Sequence, residues 1–160
     1  MTAPETPVEV PTFDHRHGRL TLAIAALAAL ATYLDTTILF VAFPDISSSF
    51  GSSGPSTLSW VLNAYTIAFA ALLVPAGKIA DRLGHLKAFL VGSTTFTVAS
   101  MACGLAPNVG LLIVARTSQG VGAAILVPSS LALVIAAFPR EKLPQVVAIW
   151  GAIGAMSAAI

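Results

Sequence analysis

Long apolar runs, separated by short joins, are the feature that most constrains how this chain can fold. They fall at about 20–43, 57–77, 87–106, 108–137 and 143–160, each near or above the ~20 residues that a helix needs to cross a bilayer. Charged residues make up only 9% of the chain, against about 25% in a soluble domain. The sequence therefore predicts an all-α fold, a polytopic transmembrane helix bundle with one span in each run.

Helix-breaking residues mark the joins between these runs. Pro44 ends the first run and Pro139 closes the fourth. Pro128 falls inside the fourth run, which we therefore expect to bend. Residues 1–19 precede the first run and are polar and rich in proline, threonine and glutamate, so we expect a disordered tail there.

Basic residues fall at alternate joins and predict how the chain is oriented. Lysine and arginine accumulate on the cytoplasmic side of membrane proteins. Seven of the eight lie before the first run, between the second and third, or between the fourth and fifth: Arg16, Arg19, Lys78, Arg82, Lys87, Arg140 and Lys142. We therefore expect these joins, the tail and the N-terminus on the cytoplasmic side.

Composition and residue spacing argue against several functional classes. The net charge of +1 gives no reason to expect a nucleic-acid partner. Cys103 is the only cysteine, so an internal disulfide and a cysteine metal cluster are both excluded. The sequence contains no nucleophile–base arrangement, metal-ligand spacing or phosphate-binding loop. We therefore expect no enzymatic activity, no metal and no cofactor.

Asp35 and Arg116 are charges that fall deep within predicted spans. Such residues cost about 2.5–3.5 kcal/mol each in a bilayer and usually face a partner or an aqueous cavity. Asp35 lies eight residues before the outer end of the first run, and Arg116 lies eight residues after the outer end of the fourth. Both are then ~12 Å below the interface, on faces rich in small or polar residues. We expect them to pair, either as a functional site or as a static ion pair that only joins two helices.

The charged stretch between the second and third runs carries a family resemblance. It is similar to the loop G-x-x-x-D-R/K-x-G-x-R/K-R/K that joins the second and third helices of the major facilitator superfamily. The matching residues are Gly77, Asp81, Arg82, Gly84 and Lys87. Leu86 stands where a basic residue is usual. The resemblance implies a conformational latch that docks on a helix of the C-terminal half, although the basic residues taken alone would also serve as topology signals.

Two helices resemble the 14-helix drug:proton antiporters of the EmrB/QacA type. Residues 34–44 are similar to the first-helix pattern L-D-x-T-I-V-N-V-A-L-P, with Phe40 in place of the asparagine. Residues 116–124 match the fourth-helix pattern R-x-x-Q-G-x-G-A-A, which contains Gln119 and Gly120. The resemblance implies a transporter for small molecules that is driven by the proton gradient.

The same resemblance suggests roles for individual residues. Arg116 corresponds to an arginine implicated in proton transfer, and we expect Asp35 to bind a proton in one conformation and release it in another. Asn63, Tyr65 and Trp150 are weaker candidates for the lining of a substrate cavity, because helix packing or interfacial anchoring explains them about as well.

Each half of the superfamily fold contains six helices, built from three-plus-three repeats. We therefore interpret residues 20–160 as a partial N-terminal transmembrane domain, five spans of an incomplete six-helix N-terminal half. Its expected partners are the lipid bilayer of a plasma membrane (the bacterial inner membrane), protons, a small-molecule substrate and the missing remainder of the transporter. The favoured hypothesis is proton-coupled efflux of drugs or other small molecules. The alternatives are proton-coupled uptake on the same fold and a truncated, non-transporting membrane fragment.

Overall fold

The computed structural model describes residues 15–50 and 54–156. The described helices are α1 His15–Ser49, α2 Pro55–Leu83, α3 His85–Gly104, α4 Val109–Ala137 and α5 Leu143–Met156, with a short 3₁₀ helix at Arg140–Lys142. No strand occurs in these two ranges, and the predicted all-α class is confirmed. The first four helices are each long and apolar enough to cross a membrane.

Three helices differ in extent from the apolar runs that predicted them: α1, α5 and α2, which continues past residue 77 to Leu83, so that most of the charged stretch expected as a loop is helical. α1 begins at His15, so the end of the predicted tail over residues 1–19 is helical, and residues 1–14 lie outside the described part of the chain. The prediction that Pro44 ends the first run is wrong for the helix, because α1 continues through it to Ser49. Transmembrane helices tolerate proline where neighbouring groups satisfy the freed backbone carbonyl. α5 is described up to Met156, and residues 157–160 of the predicted fifth span lie outside the description.

α4 lies at the centre of the bundle and packs most extensively against α3 and α2. Glycines allow this close approach. A Cβ atom added at Gly122 would lie 2.6 Å from the backbone nitrogen of Phe96, and one at Gly92 would lie 2.7 Å from that of Leu126. Since neither backbone could accommodate a side chain there, these two glycines fix how closely α3 and α4 cross.

Apolar clusters fill the interior on either side of the middle of the bundle. One cluster, around Leu39, Val61 and Leu112, lies near the end where α4 begins. Another, around Ala25 and Val134, lies near the end where α4 stops, and the start of α5 packs there. The polar side chains described next lie between these two apolar regions, where water is excluded from most of their surface.

A single residue joins α2 to α3. Gly84 has a φ of 93°, in the region that only glycine adopts readily. Its N–H donates to the carbonyl of Ala80 at 2.9 Å and so caps the end of α2. The turn itself therefore requires a glycine at position 84, independently of any contact that the predicted latch makes.

Candidate functional site

A cluster of polar side chains lies in the interior where α1, α2 and α4 meet. Asp35 of α1 and Arg116 of α4 form an ion pair, with 2.5 Å between Oδ2 and Nη1. The Arg116 side chain is 3% exposed and that of Asp35 is 19% exposed. The two charges that were expected to pair because of their positions in the sequence are therefore in contact, within helices that can span a membrane.

Gln119 bridges the two charged groups. Its Nε2 donates to Oδ1 of Asp35 at 2.6 Å, and its Oε1 accepts from Nη1 of Arg116 at 2.8 Å. The glutamine is completely buried. Each carboxylate oxygen of Asp35 thus accepts a hydrogen bond, and the guanidinium compensates its charge. The three side chains form a closed triangle that joins α1 to α4.

Tyr65 covers this triangle from α2. The guanidinium carbon of Arg116 lies 4.6 Å from the centre of the tyrosine ring, a cation–π contact. The tyrosine hydroxyl donates to the backbone carbonyl of Thr32 at 3.3 Å, which ties α2 to α1. The ring of Phe69 is parallel to that of Tyr65, with 6.1 Å between the centroids. Tyr65 was expected only as a weak cavity candidate, and it directly contacts the ion pair.

Gly120 sets the separation of α2 and α4 beside the cluster. A Cβ atom there would lie 2.5 Å from the backbone oxygen of Tyr65 and 3.1 Å from Cβ of Ala68. Any side chain at this position would push α2 away from α4. The glycine that follows Gln119 therefore keeps the ring of Tyr65 against Arg116.

Cys103 also contacts this cluster, which the sequence did not predict. Its Sγ lies 3.5 Å from Oε1 of Gln119, at the distance of a weak S–H donor. A single cysteine in an apolar run gives no signal of such a contact. The pairing of Arg116 with Gln119 was easier to anticipate, because residues three apart lie on the same face of a helix.

A cavity of about 460 Å³ reaches the ion pair from the end of the bundle where α1 stops. Asp35 and Arg116 form part of its wall, and Leu39, Cys103 and Leu112 form another part. This cavity accounts for the partial exposure of the carboxylate, since Gln119 and the guanidinium are buried. Within the cluster, the buried Nε of Arg116 has no hydrogen-bond partner among the described residues.

The charged side chains at the junction of α2 and α3 are exposed, in contrast to the buried triangle. The Asp81 side chain is 72% exposed, and its Oδ1 lies 3.9 Å from Nε2 of His85. Arg82 and Lys87 are also exposed. A Cβ atom at Gly77 would meet its nearest neighbour at 4.0 Å, an ordinary contact, so packing within the described helices does not require a glycine there.

The other two cavity candidates lie away from the ion pair. Asn63 is exposed on α2. Trp150 lies in the middle of α5 and packs against the apolar cluster of Ala25, Val134 and Val146. These contacts agree with helix packing, the alternative explanation that the sequence left open for this tryptophan.

Comparison with known proteins gives a family model and several relatives. The model described as Major Facilitator Superfamily matches residues 25–160. The chain is 41% identical over 143 residues to the "Multidrug resistance protein Stp" of Mycobacterium tuberculosis, covering 89% of this chain and 26% of that protein. It is 39% identical over 140 residues to the "Tetracenomycin C resistance and export protein" of Streptomyces glaucescens, covering 87% of this chain and 26% of that protein.

A third relative matches almost the whole chain. The "Methylenomycin A resistance protein" of Streptomyces coelicolor is 38% identical over 156 residues, which cover 95% of this chain and 32% of that protein. The chain thus spans only about a quarter to a third of the length of these relatives, from 26% to 32%.

Proposed function

The chain belongs to the major facilitator superfamily, and on that premise we propose that it is part of a transporter that expels drugs or other small molecules in exchange for protons. The relatives are named for drug or antibiotic resistance, and one of them also for export, which supports efflux over uptake. The superfamily is one of transporters, and the chain is a multi-pass membrane protein. The observation that carries the proposal is the buried triangle of Asp35, Arg116 and Gln119.

Asp35 is the member of the triangle that can exchange a proton. The guanidinium of Arg116 remains charged under all physiological conditions, and the amide of Gln119 does not titrate. A proton added to Asp35 removes the negative charge that compensates Arg116. An uncompensated charge in a low-dielectric interior is costly, so the guanidinium must find new partners. Protonation thereby changes the contact between α1 and α4.

This change is the basis of the coupling that we propose. Asp35 is charged and paired in one conformation, and neutral and separated from Arg116 in another. Substrate binding favours one of these conformations and protonation favours the other, so the two ligands are linked through the same equilibrium. The cavity that reaches Asp35 is a route for protons from one side of the membrane.

We assign the α2–α3 junction to the cytoplasmic side of a bacterial plasma membrane, as its basic residues favour. Asp81, Arg82 and Lys87 are exposed there, and Gly84 forms the tight turn. These side chains are available to dock on the remainder of the transporter and act as the latch. The cluster around Asp35 then lies closer to the outer surface.

Replacement of Asp35 tests the proposed proton exchange. Asp35→Asn keeps the size and an acceptor for Arg116 but cannot bind and release a proton. In membrane vesicles that contain the complete protein, we expect it to abolish pH-gradient-driven efflux while membrane insertion is retained. The substrate is the compound that the wild type expels fastest from a panel of dyes and antibiotics.

Glu141→Gln provides the matched control, since it makes the same carboxylate-to-amide change at an exposed position outside the triangle. We expect this control to transport like the wild type. Undiminished efflux by Asp35→Asn would contradict the proposal.

A further inference from the structure

A second cavity, of about 290 Å³, lies between α1 and α2 beside Tyr65. Four of its lining residues are threonines: Thr32, Thr36, Thr37 and Thr66. Three others are aromatic, and no carboxylate, ammonium or guanidinium group is among the described residues that line it. The cavity is therefore rich in hydroxyl groups and uncharged, in contrast to the one that reaches Asp35.

Aromatic rings form flat walls of this cavity. Tyr65 and Phe69 are parallel, with an angle of 2° between their planes. The third ring, Tyr33, lies against α5: a Cβ atom at Gly154 would be 2.9 Å from its Cε2. The absence of a side chain at Gly154 thus leaves room for the Tyr33 ring. Aromatic side chains in the wall of a cavity favour the stacking of an aromatic ligand.

The threonines provide hydrogen-bonding groups that suit a neutral ligand. A hydroxyl is both a donor and an acceptor, so it can bind a hydroxyl or a carbonyl of a ligand equally well. Thr32 already donates to the carbonyl of Ala29 at 2.7 Å, and its oxygen retains acceptor capacity. Thr66 is exposed on α2, and Thr36 is half-buried next to Asp35 on α1. An ionic ligand would find no opposite charge among these residues.

Tyr65 separates this cavity from the ion pair. Its ring lines the cavity and also lies under the guanidinium of Arg116. Its backbone is held in place by the close approach to Gly120. A ligand in the cavity therefore contacts Tyr65. When Asp35 is protonated and the guanidinium moves, Arg116 must either separate from the Tyr65 ring or move together with it.

We propose that the threonine-lined cavity binds an uncharged aromatic part of the transported molecule that bears hydroxyl or carbonyl groups. This inference rests on the proposed transport function and identifies the class of substrate. The volume of about 290 Å³ is just below the roughly 300–1,000 Å³ typical of ligand pockets, so the cavity holds one part of a larger substrate. The rest of that substrate extends toward the remainder of the transporter.

Binding to the complete, purified protein tests the proposal with two fluorescent probes. One is a neutral dihydroxyanthraquinone, and the other is ethidium, an aromatic cation without hydroxyl or carbonyl groups. The test variant combines Thr36→Val with Thr66→Val, which removes two hydroxyls at nearly constant shape. Thr94→Val is the matched control, because Thr94 lines a different cavity between α3 and α4.

We expect the double variant to bind the anthraquinone about tenfold more weakly, the effect of losing roughly one net hydrogen bond. Ethidium binding should be unchanged in that variant, and the Thr94→Val control should bind both probes like the wild type. The proposal is overturned if the wild type does not bind the anthraquinone, or if the double variant binds it with wild-type affinity. Equal weakening for both probes, or in the Thr94→Val control, also overturns it.

These outcomes are independent of the antiport test. If Asp35→Asn transports normally but the threonine variant loses anthraquinone binding, the cavity assignment holds and proton exchange at Asp35 fails. If Asp35→Asn abolishes efflux but the double threonine variant binds the anthraquinone with wild-type affinity, the proposed antiport holds and the cavity assignment fails.

Discussion

The two charged regions of this chain occupy opposite environments. In the triangle of Asp35, Arg116 and Gln119, the guanidinium is 3% exposed and the described helices supply its ionic and hydrogen-bond partners. At the α2–α3 junction, the Asp81 side chain is 72% exposed, and its Oδ1 lies 3.9 Å from Nε2 of His85. Both regions resemble sequence motifs of one superfamily, but only in the first do the described helices bury the charged groups and pair them with one another.

The difference separates charges that the described helices pair with one another from charges that they leave exposed. Buried charges are costly unless they are paired, so Asp35 must stay in the triangle as long as its carboxylate is charged. Exposed charges are solvated and screened, so the junction is stable without a partner. Substitutions in the first region should therefore affect both folding and transport, whereas those in the second should affect transport alone.

The largest contrast is expected between two arginines. Arg116→Leu leaves the buried carboxylate of Asp35 without its counterion, and breaking a buried pair in this way costs about 3–5 kcal/mol. Arg82→Leu changes an exposed side chain and should alter the free energy of unfolding by no more than about 0.5 kcal/mol. Denaturant unfolding of the complete protein in mixed micelles measures the free energy of unfolding of both variants. Similar losses in the free energy of unfolding for the two variants would contradict the proposed difference between the buried triangle and the exposed junction.

A smaller contrast is expected between two glycines. Gly120→Ala places a methyl group 2.5 Å from the backbone oxygen of Tyr65, so α2 must shift, at a cost of about 1–3 kcal/mol. Gly77→Ala meets its nearest neighbour at 4.0 Å and should be neutral or stabilising by up to about 1 kcal/mol, since alanine favours a helix. The same unfolding experiment compares them. A stable Gly120→Ala variant with wild-type efflux would show that the close approach of α2 is not needed.

The sequence predicted the ion pair because the necessary information is local. Counting residues from the ends of two apolar runs gave equal depths for Asp35 and Arg116, and helical periodicity placed Gln119 on the same face as Arg116. These features depend on spacing along one or two helices. By contrast, Gly84 was identified as a motif glycine, and the runs left residues 78–86 as a join where the structure has Gly84 alone between α2 and α3.

Other features depend on how the helices rotate and pack, which residue spacing does not determine. The Cys103 contact requires α3 to turn one particular face toward α4. The threonine-lined cavity requires α1 and α2 to face each other beside Tyr65. The extent of α1 beyond Pro44 depends on which groups satisfy the carbonyl that a proline leaves unpaired. Similarly, the partly buried Trp150 packs against residues of α1 and α4, contacts that its position in an apolar run did not indicate.

The central claim is that Asp35 exchanges a proton when the transporter binds its substrate. Proton release can be measured directly with a pH indicator, by adding substrate to the complete, purified protein in weakly buffered detergent solution at a pH where the wild type transports. We expect proton release by the wild type and none by Asp35→Asn, although the variant still binds the substrate. Equal release by both proteins would contradict the claim, because the proton would then come from another group.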